Sequence, residues 1–121
     1  MTTKFVQDGD VLTYTNTGSA ISAGAVVELK HCLGVALTNI AATTGTGAVA
    51  IEGCFTVPKV SAAVWVVGEK LIWDTSAGAF DDSAATPATG DITGAAIAMA
   101  AGANGETTAV VKLTAGNATL T

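Results

Sequence analysis

The sequence predicts a mainly β protein, a small single-domain β-barrel or sandwich with Gly-rich turns and at most one short helix. Three observations lead there. Turn residues interrupt the chain about every eight to twelve positions. Between them, apolar residues alternate with polar ones at the period of a strand rather than that of a helix. The composition is also rich in Thr, with 19, and in Gly, with 14, which favours strands and tight turns.

The candidate strands are Lys4–Gln7, Val11–Thr15, Ala25–Lys30, Leu33–Thr38, Gly47–Val57, Lys70–Asp74, Ile92–Met99 and Thr107–Thr114. The fifth alternates most clearly. Val49, Ile51, Phe55 and Val57 fall on one face, with Ala48, Ala50, Glu52 and Thr56 on the other. The last sets Ala109, Val111 and Leu113 opposite Thr108, Val110 and Lys112, so both faces carry apolar residues and the strand is expected to be covered on two sides. Asp8-Gly9 and Asn104-Gly105 are tight-turn pairs, because Gly accepts positive φ at no steric cost. Pro58 closes the long strand, since proline donates no ladder hydrogen bond. Residues 76–90 read as a small polar loop, and Ser61–Val67 is the only stretch that fits a helix. No internal repeat or domain boundary breaks the 121 residues, so the chain is one domain with a possible N-terminal arm at 1–7 and a polar tail at 115–121.

Half of the residues are hydrophobic, but 24 of them are Ala and only 34 are larger apolar residues. Burial is worth roughly 25 cal/mol per Å², so the alanines contribute little each, and self-association is one way such a chain gains stability. Charge is sparse, at 12% of residues with a net −5. The five basic residues are all Lys, at positions 4, 30, 59, 70 and 112, and they are scattered. Nucleic-acid recognition relies on Arg forks and clustered positive charge, so nucleic acid is not an expected partner. The acidic balance likewise argues against an anionic membrane. The N-terminal Met1-Thr2-Thr3-Lys4-Phe5 has no apolar signal core, and the longest apolar run, Ala95 to Ala103, is too short to span a bilayer. Synthesis in a cytoplasm, with release by lysis, is the expectation.

Catalytic chemistry is thinly provided. His31 is the single histidine, so any Ser-His-Asp or Cys-His arrangement would have to use it. Cys32 is adjacent, but neighbours on a strand point to opposite faces and only a turn would leave the pairing open. With no orienting acid nearby, His31 reads as a turn or surface residue. Cys32 and Cys54 are too few for a disulfide framework or a zinc site. Asp74-Thr75-Ser76-Ala77-Gly78 lacks the alternating acids and closing Glu of a calcium loop, and Asp81-Asp82 reads as a solvated turn. Gly45-Thr46-Gly47 lacks the Lys and helix of a phosphate loop. No metal, cofactor or catalytic residue is expected. Trp73, in Leu71-Ile72-Trp73, reads as core, whereas for Trp65, flanked by Val64 and Val66, core and subunit interface both fit.

The order of several short motifs resembles the small capsid cement, or head decoration, proteins of tailed bacteriophages. The motifs are Phe5-Val6-Gln7-Asp8-Gly9-Asp10-Val11-Leu12, Gly24-Ala25-Val26-Val27, Leu33-Gly34-Val35-Ala36 and Glu52-Gly53-Cys54-Phe55-Thr56-Val57-Pro58-Lys59. Gly68-Glu69-Lys70-Leu71-Ile72-Trp73-Asp74 and Ile92-Thr93-Gly94-Ala95-Ala96 continue the same order, so the resemblance runs from Phe5 to about Leu113. It departs at Thr93-Gly94, where Ile-Gly is expected, and in a longer polar tail. Some members of the family carry a recombinase label, for which this sequence has neither nucleotide loop nor basic DNA path.

The resemblance implies a non-enzymatic protein on the outer surface of the capsid, bridging neighbouring major capsid protein subunits. Its implied partners are that protein and itself, as a homotrimer by preference or a dimer. Thr2, Thr3, Lys4, Phe5, Val6 and Gln7 are the capsid-binding candidates, although the same residues fit a plain first strand. Trp65, Val64 and Val66 are the oligomer-interface candidates. The rival readings are a phage tail or head-completion protein, a host- or carbohydrate-binding β module and, last, a small enzyme using His31.

Overall fold

The computed structural model describes residues 7–121. Two antiparallel sheets follow one another along the chain. The first contains β1 (Val11–Thr15), β2 (Val26–Glu28), β3 (Leu33–Ala36) and β4 (Thr46–Ala50), in the order β1-β4-β3-β2. The second contains β5 (Cys54–Pro58), β6 (Lys70–Asp74), β7 (Ala79–Asp81), β8 (Ile92–Ala98) and β9 (Thr108–Leu113), in the order β5-β9-β8-β6-β7, and β10 (Thr119–Leu120) also pairs with β8. The two edges of the second sheet meet at a single parallel bridge, Lys59 to Phe80, without closing a barrel.

The fold is therefore mainly β, as the alternation predicts, with two corrections to individual elements. Gly47–Val57 is not one strand. Ile51-Glu52-Gly53 turns the chain out of the first sheet and into the second, with Gly53 at φ 116°, so β4 and β5 belong to different sheets. Val49 and Val57 are both buried, but in different clusters. Ser61–Val67 forms no helix: β-branched Val64, Val66 and Val67 disfavour it, and Trp65 instead bridges to Gly102. The one helical turn among the described residues is a 3-10 turn at Ala115–Asn117. Two short strands form where loop and tail are expected. Ala79–Asp81 pairs with β6, and Thr119–Leu120 pairs with Thr93 and Ile92 of β8. Of the candidate strand Lys4–Gln7, only Gln7 lies within the described residues.

Strand β8 is the organiser of the second sheet. On one side it pairs with β6 throughout, from Lys70↔Ile97 to Trp73↔Ile92, with a register shift between Leu71 and Ile72. On the other side its C-terminal half pairs with β9 and its first two residues pair with β10. Gly94 sits at the change-over, with φ 78°, and the Thr114 hydroxyl donates to its carbonyl at 2.7 Å. The main core joins Leu33 and Val35 of the first sheet to Val57, Leu71, Trp73, Phe80, Ile92, Val111 and Leu113 of the second. Ala63, Ala95, Ala96 and Ala98 let these layers approach closely, which gives the alanines a packing role their small area would not. A smaller cluster, Val27, Ala36, Ile40 and Val49, lies within the first sheet. The Trp73 and Phe80 rings meet edge to face, with centroids 5.0 Å apart. The sheets are also joined by a polar contact, in which the Trp73 indole donates to the Glu28 carboxylate at 2.6 Å.

Candidate interaction surface

Residues 59–69 form the most elaborately fixed loop of the second sheet. Alternation along β5 puts Lys59 on the same face as Val57, so its side chain runs inward and is 4% exposed. Its ammonium donates to the carbonyls of Ala63 at 2.5 Å, Ala103 at 2.9 Å and Val60 at 3.0 Å, with Glu106 and Ser61 carbonyls further out at 3.4 and 3.5 Å. An ammonium has three N–H groups, so the three short contacts satisfy it and the two long ones share them. One buried cation thus ties the loop after β5 to the turn between β8 and β9.

Trp65 completes the tie. Its N–H and C=O exchange hydrogen bonds with Gly102 at 3.1 and 3.0 Å, and its indole donates to the Ala100 carbonyl at 3.1 Å. A Cβ on residue 102 would lie 2.6 Å from the indole ring, so the ring occupies space that only glycine leaves. The Trp65 ring is 2% exposed and belongs to the core of its own chain. Within the chain it serves as an anchor for the loop. Its neighbours do the opposite: Val64, Val66 and Val67 are 58%, 68% and 66% exposed.

Gly68 donates to the Ala98 carbonyl at 2.8 Å, which places the end of the valine loop beside β8, and Met99 donates to the Val110 carbonyl at 3.0 Å. Met99 and Val110 are exposed as well. The outward N–H groups of the loop are covered by carboxylates. Val64 N–H reaches Asp82 and Val66 N–H reaches Glu69, each at 3.4 Å. Glu69 also accepts from the Ser83 N–H at 3.0 Å and the Ser83 hydroxyl at 2.9 Å. The Ser83 N–H, joined by its hydroxyl and the Val66 N–H, holds the Glu69 carboxyl below its ordinary value against an opposing push from burial.

The other candidates are structural or solvent-facing. Gln7 is exposed, and its side-chain amide donates to the Val11 carbonyl at 2.8 Å across the turn that opens β1. Thr2, Thr3, Lys4, Phe5 and Val6 lie outside the described residues. His31 is exposed in the turn between β2 and β3. Neither cysteine is bonded: Cys54 is exposed, and burial pushes the half-covered Cys32 thiol up. Asp74 accepts from the Ser76 hydroxyl and the Ala77 and Ser76 N–H groups, which lowers its carboxyl, and so it closes its own turn. Asp81 and Asp82 accept from the N–H groups of Asp82 and Ala84 in the same way. No group of three metal-ligating side chains occurs among the described residues. A shallow cleft lies between Glu28, Thr75 and Leu120, where the Thr75 hydroxyl and the Trp73 indole both donate to Glu28.

Sequence reasoning missed Lys59. The signal was its position two residues after Val57, which puts it on the buried face. No curated protein matches the chain. The family model described as phage cement protein matches residues 6–113. That span contains both sheets up to the end of β9, including the Lys59 and Trp65 anchors and the exposed valines. The chain belongs to the phage cement protein family, the structural proteins associated with the phage capsid.

Proposed function

We propose that this protein lies on the outer surface of a phage head, where a symmetric oligomer, preferably a trimer, bridges neighbouring major capsid protein subunits and stabilises the shell. The observation that carries this reading is the family match over residues 6–113. The surface chemistry supports it. Several acids, among them Asp74 and Asp82, close their own turns, and Val64, Val66, Val67, Met99 and Val110 are exposed apolar side chains. An acidic exterior with no Arg also suits the outside of a particle better than contact with packaged DNA. A modest contact per copy suffices, because an oligomer that engages several capsid subunits gains avidity.

Residues 2–7 are proposed as the capsid-binding arm, on the ground that they precede the turn closed by Gln7 and pair Phe5 and Val6 with polar neighbours. The test is co-sedimentation with phage heads stripped of this protein, followed by heating. The expected result is saturable binding at hundreds of copies per head and greater resistance to heat, both lost on deletion of residues 2–7 with the fold retained. Binding at only a few copies would move the protein to the tail or the head-completion assembly. Absence of binding would overturn the capsid-bridging role.

A further inference from the structure

We propose that Asn104 is a latched deamidation site, where the Gly105 nitrogen that would displace the side-chain amide is withheld by the carbonyl of Ser61. The chain has four asparagines, Asn16, Asn39, Asn104 and Asn117, and Asn104 alone precedes a glycine. Thr17, Ile40 and Ala118 follow the others, and each puts a Cβ beside the nitrogen that must attack. Gly105 has none, so its nitrogen meets the least steric resistance. The turn itself requires that glycine, because Gly105 has φ 97°. Asn104 is exposed, so water and base reach it.

The reaction consumes only water. The Gly105 nitrogen gives its proton to base and bonds to Asn104 Cγ, while the bond from Cγ to the side-chain nitrogen breaks and ammonia leaves. Water then opens the five-membered imide at one of its two carbonyls. The product is aspartate, or isoaspartate, in which the main chain runs through the side-chain carbons.

The turn is built against the first step. Gly105 N–H donates to the Ser61 carbonyl at 2.7 Å, so loss of its proton sacrifices that bond. Glu106 N–H donates to the Ala103 carbonyl at 3.2 Å, and the Glu106 carboxylate accepts from the Ala103 N–H at 2.6 Å, which closes the turn from both ends. Beneath it, the buried Lys59 ammonium donates to the Ala103 and Glu106 carbonyls at 2.9 and 3.4 Å. Ring closure therefore waits for the turn to open. Its rate is the unfolded-chain rate multiplied by the open fraction, and the same opening exposes Gly105 N–H to hydrogen exchange. The product adds a carboxylate to a chain of net −5, and isoaspartate lengthens the main chain between the two carbonyls that Lys59 holds.

The test is peptide mapping by mass spectrometry of the full chain, kept at mildly alkaline pH below its melting temperature, with hydrogen exchange at the Gly105 amide followed in parallel. In guanidinium chloride Asn104 should deamidate first of the four asparagines and yield both aspartate and isoaspartate. In the folded wild type its loss should be slower by roughly tenfold or more, matching the protection of the Gly105 amide within about threefold. Lys59→Met should accelerate it several-fold. Glu106→Ala, at an exposed position, loosens the turn without removing the buried cation, and should act in the same direction even if Lys59→Met does not fold. A folded wild type that deamidates as fast as the unfolded chain overturns the latch. Another asparagine reacting first in the unfolded chain overturns the site. A folded rate that Glu106→Ala leaves unchanged, or that does not follow Gly105 protection, assigns the slowness to something other than these bonds and also overturns the proposal.

Discussion

The ammonium of Lys59 lies 5.2 Å from the centre of the Trp65 ring, inside a shell of backbone carbonyls drawn from two loops. All of its hydrogen-bond partners are main-chain oxygens, contributed by Val60, Ser61, Ala63, Ala103 and Glu106. Partial negative charges from several carbonyls and the face of the indole together replace the water that a buried ammonium gives up. The pair holds the exposed valines in place from beneath.

Replacing Lys59 by Met keeps the aliphatic stem and deletes the charge. The Ala63, Ala103 and Val60 carbonyls then lose a charged donor inside the protein, where an unsatisfied acceptor costs about 1–3 kcal/mol. Urea unfolding should show a loss of about 3 kcal/mol, and hydrogen exchange should accelerate at the Trp65 and Gly102 amides before it does in β8. A variant as stable as the wild type would mean that the carbonyls find water and that the cation is incidental.

Gly94 marks the place where β8 changes partners. It has φ 78°, and a Cβ there would lie 2.7 Å from the Asn117 carbonyl oxygen. Gly94→Ala therefore meets both left-handed strain and a clash with the 3-10 turn, and should cost about 2–4 kcal/mol. Gly116→Ala, one residue before Asn117 and facing open space, should change stability by less than about 1 kcal/mol. Equal effects at the two positions would count against this account of the β8 change-over.

Four of the candidate strands were legible in the sequence almost to their ends. Val11–Thr15 and Lys70–Asp74 form with the predicted ends, and Ile92–Ala98 and Thr108–Leu113 fall within a residue of them. Ala79–Asp81 and Thr119–Leu120 were not legible, because two- and three-residue strands show no periodicity and exist only where β6 and β8 offer them a partner. The 47–57 segment kept its alternation through a turn, so pattern alone could not reveal that Gly53 passes the chain to another sheet. At the candidate surface, the exposed Val64 and Val66 were visible in the sequence. Their support was not, since the partners of Lys59 are carbonyls as distant as residues 103 and 106.

The Trp73–Glu28 hydrogen bond links β6 to β2 and hence one sheet to the other. Trp73→Phe keeps the ring against Phe80 but removes the N–H that Glu28 accepts. Because Glu28 is solvent-facing, the expected coupling in a Trp73→Phe, Glu28→Gln double-mutant cycle is modest, about 1 kcal/mol. Strictly additive stabilities in urea would show that the Trp73–Glu28 bond adds nothing to the join between the sheets.

Glu69 gives the valine loop a sensitivity to acid. Its carboxylate takes hydrogen bonds from Ser83 and Val66, which bind the charged form better than the protonated one, so its folded value lies below the ordinary 4.5. A group depressed on folding stabilises the protein fully above its unfolded value, and that contribution disappears as the pH falls through the folded value. Asp74 acts in the same direction from below 3.8, through Ser76 and Ala77. Thermal stability should therefore be flat near neutrality and decline below about pH 4.5. In Glu69→Gln the part of this decline due to Glu69 should vanish, because the amide oxygen accepts without titrating. The melting temperature at neutral pH should be slightly lower, since an exposed charge-assisted bond becomes a neutral one. Asp74→Asn should leave the upper part of the decline in place and remove only the lower part. If Glu69→Gln follows the wild-type curve at every pH, the clasp between the valine loop and Ser83 does not hold in solution.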